Sequence, residues 1–173
     1  MIQEARIRYH KNKLNKYGAY KRVFSFDKYP QYIIKIWDRE MDKRIKYEYK
    51  ASEKYPDLFA KIIKIDFDRR LMIEEKLDTE QIEKDLKKLA TYTGIKSDYS
   101  VPDYFEALAI NTTQKEKQLK MIKQRYPEGV DLFNKWISFF EKIIHIDVGL
   151  IANDFNIGNI GYDKNGNLKL LDI

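Results

Sequence analysis

The 173-residue chain has no cysteine, only two histidines (His10 and His145), four prolines and seven glycines. Without cysteine there is no disulfide framework, no thiolate zinc site and no iron–sulfur cluster. Two histidines leave almost nothing for an imidazole metal centre. No apolar run approaches the roughly 20 residues that span a bilayer. The opening MIQEARIRYHKNKLNKY also lacks the apolar stretch of a secretory signal. The expected compartment is the cytoplasm, with no membrane partner. What the chain does hold is 43% hydrophobic and 14% aromatic residues, enough to pack a core and to argue against disorder. At roughly 150 residues per domain, the length suits one domain or two small lobes.

Charge is unevenly distributed. Residues 1–50 carry fourteen Lys and Arg against six Asp and Glu, a surplus of +8, while the remainder sums to −2. A basic segment interleaved with Tyr9, Tyr17, Tyr20, Tyr29 and Tyr32 is one way to bind nucleic acid, through phosphate neutralisation and base stacking. It is equally a solvated lysine-rich surface, or a lobe that holds a polyanionic ligand.

The first third alternates as strands do. Residues 22–27 place Val23, Phe24 and Phe26 in a β-prone run, and Pro30 marks a turn. In QYIIKIW (31–37), period two puts Ile33, Lys35 and Trp37 on one face and Tyr32, Ile34 and Ile36 on the other. Lys35 is thus a charge within an otherwise buried-looking strand. Asp38 is placed to cap a helix over 38–55 that Pro56 ends. Helical spacing aligns Met41, Ile45, Glu48, Ser52 and Tyr55, which turns Glu48 inward and leaves Glu53 on the outer face.

Further along, LFAKIIKID (58–66) and LMIEEKL (71–77) read as strands joined by a polar turn. A helix is expected over 79–93, stopped by Gly94. A loop over 95–102 and a single helix over 103–125 follow, and Pro127 breaks the latter. The most apolar helix spans 128–146, with Phe133, Trp136, Ile137, Phe140, Ile143 and Ile144 forming a broad buried face. His145 falls near its C-terminal end. The final segment, with Asn-Gly between β-prone runs 159–162 and 168–173, is a hairpin. DKNGN (163–167) superficially resembles a calcium loop, but Leu168 stands where that loop needs glycine, so a simple turn is expected.

Four features then fall in order: Lys35 in a strand, Glu48 pointing inward from the next helix, Asp154 with Asn159 five residues on, and Asp172 at the end of the hairpin. Phosphoryl transfer from ATP calls for such a set. It needs a fixed cation for the phosphates, a carboxylate to hold that cation, oxygen ligands for magnesium and an aspartate to orient the acceptor hydroxyl. Singly, each has a plainer reading: a snorkelling strand lysine, a surface-paired glutamate, turn-forming Asp and Asn residues, and an aspartate with no role.

In this order the residues resemble the protein-kinase-like superfamily. YIIKI around Lys35 is similar to the third-strand lysine motif, and Glu48 to the glutamate of the following helix. NDFNIGN is similar to the catalytic loop in its aminoglycoside-phosphotransferase form, and LKLLDI to the strand that enters the magnesium-binding aspartate. The resemblance implies an α+β fold of the protein-kinase-like bilobal type, with an antiparallel-sheet N-lobe over 1–77 and a reduced helical C-lobe over 78–173. It implies ATP and Mg²⁺ as cofactors, with Lys35 and Glu48 on the phosphate side and Gly18 as the remnant of a glycine-rich loop. Backbone groups of Glu75, Lys76 and Leu77 would face adenine. Asp154 would be the catalytic base, with Asn159 and Asp172 as magnesium ligands.

Two positions depart from the pattern. Ala152 replaces the motif's histidine, and NKYGAYKRV retains one glycine of the phosphate loop. The expected activity is a nucleotide-dependent phosphotransferase with an unidentified hydroxyl acceptor or protein partner. The alternatives are a pseudokinase serving as a nucleotide-sensing or protein-binding module, and a basic nucleic-acid-binding protein.

Overall fold

The computed structural model describes residues 7–9, 21–26, 28–146 and 157–171. The protein is α+β, and its chain divides into two compact units, Met1–Leu77 and Asp78–Ile173.

The first unit is a five-stranded antiparallel sheet with one helix inserted after its third strand. Its strands are β1 (Ile7–Tyr9), β2 (Lys21–Phe26), β3 (Tyr32–Trp37), β4 (Ile62–Asp66) and β5 (Leu71–Glu75), in the order β1-β2-β3-β5-β4. The three-residue strand β1 has no counterpart in the sequence reading, because three residues are too few for alternation to register. Pairing of Val23 with Lys35 and of Lys35 with Met72 sets one face of the sheet: Lys21, Val23, Ile33, Lys35, Trp37, Met72 and Glu74. Helix α1 (Asp42–Lys54) lies on this face and buries Ile45, Glu48 and Ala51. Trp37, Ile45 and Met72 form its core, with Met41, Ile62, Ile65 and Phe67 packed around them. Burying each such side chain is worth about 1.5–3 kcal/mol.

The start of α1 differs from expectation. The Asp38 side chain makes no capping bond, and a 3-10 turn over Arg39–Met41 precedes the α-helix. The anchor is instead Asp42, whose Oδ1 accepts from the Trp37 indole N–H at 2.9 Å and from Arg70 Nε at 3.0 Å. Arg70 holds a left-handed φ of 50° in the turn between β4 and β5, a conformation costly for a side-chain-bearing residue. Its guanidinium contact with Asp42 offsets that cost. The strand expected over 58–66 is shorter, because Leu58, Phe59 and Ala60 are buried in the turn that leads into β4.

The second unit is helical and ends in a hairpin. Helix α2 (Glu80–Thr93) stops at Gly94, whose φ of 76° closes it in the left-handed cap that glycine adopts freely. The single helix expected over 103–125 is two: α3 (Val101–Ile110) and α4 (Thr112–Arg125). The break is at Asn111, whose side-chain oxygen accepts from the Gln114 N–H at 3.0 Å and so starts a new helix. The loop expected over 95–102 also ends early. A 3-10 turn over Asp98–Ser100 feeds α3, and Pro102 fits in the helix's first turn, where its missing N–H costs nothing. Helix α5 (Val130–Ile144) buries Phe133, Trp136, Ile137, Phe139, Phe140 and Ile143. Phe105 sits among these rings, 5.3 Å from Phe133 and 6.0 Å from Trp136 between centroids.

The hairpin comprises β6 (Ile160–Tyr162) and β7 (Leu168–Leu170). At its turn the Asp163 carboxylate accepts from the N–H groups of Asn165 and Asn167 and from the Asn167 side chain. Gly166 supplies the left-handed φ of 78°. The carboxylate is thus occupied in shaping the turn, as the hairpin reading requires. Among the described residues, no helix is long and apolar enough to cross a membrane.

Candidate functional site

The chemistry of the first unit gathers around Lys35. Strand β3 carries it on the face that α1 covers, so its ammonium is enclosed, with only 2% of the residue exposed. Glu48 comes down from α1, two turns beyond the Asp42 anchor, and is 3% exposed. Its Oε1 stands 3.5 Å from Lys35 Nζ. The inward lysine and the inward glutamate of the sequence reading therefore meet.

Neither residue's closest contact is the other. Lys35 Nζ lies 2.7 Å from Glu74 Oε1 and 2.9 Å from Glu74 Oε2. Glu48 Oε2 accepts from Lys21 Nζ at 2.8 Å. Glu74 is the most deeply buried of the four, at 1% exposure. The cluster is thus a chain of alternating charge, Lys21–Glu48–Lys35–Glu74, contributed by β2, α1, β3 and β5. Burial of charge is tolerated only with such pairing, since an isolated ion in a low-dielectric interior is prohibitively costly. The Asp42 carboxyl at the head of α1 is held below its ordinary pKa by the hydrogen bond from Arg70, then by that from Trp37. It stays ionised and keeps the helix that bears Glu48 tied to the sheet.

Glu74 and Lys21 were missed from sequence. In LMIEEKL two glutamates are adjacent, and alternation alone turns one inward without saying which. The register of β3 against β5 decides it, because Ile33 opposite Glu74 puts Glu74 on the Lys35 face. The signal that flagged Lys35, an ionic residue at an inward strand position, would have flagged Glu74 had the register been known.

The other sequence-derived site residues are distributed as follows. Glu75 ends β5 with its N–H donated to the Lys61 carbonyl at 2.9 Å, and its Oε1 accepts from the Lys61 N–H at 2.7 Å. The Lys76 N–H is donated to the Gln31 carbonyl at 2.8 Å. Leu77 is buried. In the second unit Asn159 ends the short 3-10 turn Ile157–Asn159 before β6, and its carbonyl accepts from the Leu171 N–H at 2.8 Å. Gly18, Asp154 and Asp172 lie outside the described residues. Among the described residues, no three His, Asp or Glu side chains converge as a metal site. His145 closes α5 and is exposed.

A second buried polar group belongs to the second unit. The Tyr162 hydroxyl on β6 donates to Asp85 Oδ2 on α2, and Asp85 Oδ1 accepts from Gln81 Nε2 at 2.8 Å. Burial, and then the Asp85 hydrogen bond, push the Tyr162 phenol well above its ordinary pKa, while Trp136 opposes them. Asp85 Oδ2 ties the hairpin to α2 while Oδ1 is satisfied within α2 by Gln81, so the function of this contact is attachment.

No family model, curated protein or solved structure matches the chain.

Proposed function

We propose that the protein is an ATP- and magnesium-dependent phosphotransferase of the protein-kinase-like type, acting on a hydroxyl acceptor. The observation that carries this reading is the buried ammonium of Lys35 on the third strand, paired at 3.5 Å with Glu48 of the helix that directly follows. A sheet with one helix inserted after its third strand supports it, since the resemblance implies that layout for a nucleotide-holding lobe. The helices and terminal hairpin of the second unit are the counterpart of a reduced helical C-lobe.

On this reading Lys35 neutralises phosphate charge, and Glu48 and Glu74 together hold its ammonium in place before the nucleotide binds. Magnesium, when bound, supplies charge neutralisation of the transferring phosphoryl group. Asn159 and Asp172, an amide oxygen and a carboxylate, are the donor types it takes. Asp154 accepts the proton of the acceptor hydroxyl. The hinge role narrows: the N–H groups of Glu75 and Lys76 are engaged with Lys61 and Gln31, so of the three residues Leu77 is the one whose N–H would donate to adenine.

Thermal stability with ATP and Mg²⁺ is the first test. Nucleotide at a hundred times its dissociation constant is expected to raise Tm by about 5–10 °C for a chain of this size. Phosphotransfer should vanish in Asp154→Ala while nucleotide binding persists. No shift with any nucleotide in the folded protein would sink the reading.

A pseudokinase is the second reading, and one observation favours it. Lys35 is enclosed by carboxylates on two sides, as in a staple that serves the fold alone. Nucleotide binding without transfer, indifferent to Asp154→Ala, would select it.

A further inference from the structure

Helix α1 has two faces of opposite character. Ile45, Glu48 and Ala51 are buried on one side of it. At 3.6 residues per turn, Lys43, Tyr47 and Lys50 project within about 60° of one another on the other side. All three are exposed, and Lys46 is exposed beside them. Tyr47 is 58% exposed, with Lys43 one turn before it and Lys50 one turn after.

Two observations separate this face from an ordinary solvated surface. The first is charge. Lys46 lies three residues from Lys43 and four from Lys50, spacings at which like charges repel and weaken a helix. Lys46 is drawn aside, its Nζ 5.8 Å from the Phe67 ring centroid and within the field of Asp42. Lys43 and Lys50 make no ion pair or hydrogen bond among the described residues. Glu53, the exposed carboxylate of α1, accepts instead from the Tyr49 hydroxyl. Relief of the repulsion is therefore left to an external anion.

The second is the ring. At two other tyrosines of this unit a neighbouring ammonium lies over the ring. Lys28 is 5.8 Å from the Tyr29 centroid, and Lys54 is 5.0 Å from that of Tyr55. Tyr47 has a lysine one turn away on each side, yet among the described residues it makes no ring contact, cation contact or hydrogen bond. An open π-face between two cations is the combination that holds single strands, in which bases stack on rings and ammonium groups neutralise phosphates. An acidic peptide would use the lysines and leave the ring idle.

We propose that the outer face of α1 binds single-stranded nucleic acid, with a base stacked on Tyr47 and flanking phosphates on Lys43 and Lys50. This site is separate from the phosphotransferase reading, which uses the inner face of the same helix. Helix α4 supplies an internal control. It too exposes lysines, Lys117, Lys120 and Lys123, but Glu116 stands four residues before Lys120 and none of its exposed residues is aromatic.

The test is fluorescence anisotropy of a labelled oligothymidylate of about twelve nucleotides, titrated with the full chain over a series of salt concentrations. Lys43→Glu/Lys50→Glu is expected to weaken binding about tenfold or more and to flatten the log–log salt slope by about 1.4, the share of two phosphate contacts. Tyr47→Ala should weaken binding about tenfold with the salt slope unchanged, while Tyr47→Phe retains the wild-type affinity. The α4 reversal Lys117→Glu/Lys120→Glu should leave affinity nearly unchanged at physiological salt, where charges that touch no phosphate are screened. Circular dichroism checks that each variant is folded.

Equal losses from the α1 and α4 reversals overturn the proposal, since binding then follows net charge alone. A folded Tyr47→Ala variant that binds like wild type overturns it too, and is the outcome expected if this face serves an acidic protein. Absence of oligothymidylate binding by the wild type at low salt does the same.

Discussion

Lys35, Glu48 and Glu74 in the first unit are as thoroughly enclosed as Phe105, Phe133 and Phe140 in the second. The two interiors nonetheless reward the chain differently. Rings in the second unit gain free energy from every square ångström they remove from water, and their edge and tilted contacts add to it. The four charges of the first unit must first recover a desolvation cost of several kcal/mol per ion, and their mutual attraction does little more than balance it. A group of residues that contributes little net stability needs another reason to be there. Placing an ammonium at a fixed point on a rigid sheet is such a reason, and the phosphotransferase reading rests on it.

The contrast can be broken by paired substitutions. Phe105→Ala should cost about 3–5 kcal/mol in denaturant unfolding, through lost burial and a cavity. Lys35→Met should cost a similar amount, about 3–5 kcal/mol, because the ammonium between the buried Glu48 and Glu74 carboxylates is removed. The difference lies in rescue. Adding Glu74→Met to Lys35→Met should recover most of the loss, since an apolar pair of similar volume is often as stable as a buried ion pair. No comparable second change restores the ring that Phe105→Ala deletes. If the double variant is as unstable as Lys35→Met alone, the cluster is a stabilising element and the contrast fails.

A smaller effect belongs to the polar contact of the second unit. Tyr162→Phe removes the hydroxyl that Asp85 accepts from and should cost about 1–3 kcal/mol. Burial first, and the Asp85 bond second, raise the folded-state pKa of Tyr162 above its ordinary value of 10.0. The unfolded chain thus releases the phenolic proton at a lower pH than the folded one. The contribution is complete below about pH 10 and declines as pH rises above it. Tyr162→Phe should lose that part of the alkaline decline in stability and leave the acid side unchanged. An unaltered alkaline profile would mean that the hairpin is held by other contacts.

How far these features could be read in advance follows from the range of the interactions that make them. Lys35 and Glu48 were legible because period two and period 3.6 are local, and each put a charge on an inward face. Gly94 and the Asn-Gly hairpin were legible for the same reason, since the backbone conformation is written in one or two residues. The split at Asn111 was missed, because a capping asparagine between helices looks like one more polar residue in NTTQKEKQ. Glu74 and Lys21 were missed because inward placement of Glu74 depends on a register set between strands some forty residues apart. Asp42 was passed over in favour of Asp38, since the partners that make it the anchor, Trp37 and Arg70, converge only in the folded sheet.

The smallest expected effect sits at the hairpin turn, and it tests the comparison at its weakest point: a charge in the second unit that does stabilise. Burial pushes the Asp163 carboxyl up, but the backbone and side-chain donors of Asn167, the Asn165 N–H and nearby Lys169 together hold it below the ordinary value. The folded chain therefore keeps this carboxylate ionised at a pH where the unfolded chain has begun to protonate it. The contribution is present above about pH 4 and is lost as pH falls through the lower, folded-state value. Asp163→Ala should cost about 1 kcal/mol at neutral pH and flatten the acid limb of the stability profile. The Asn variant keeps one acceptor oxygen and should retain part of the neutral-pH stability without the acid dependence. Unlike the ions around Lys35, Asp163 receives three N–H donors from its own turn and needs no cation from a distant strand. A charge satisfied locally adds stability, whereas one that depends on a distant counter-ion adds position. An acid limb unchanged in Asp163→Ala would remove that distinction.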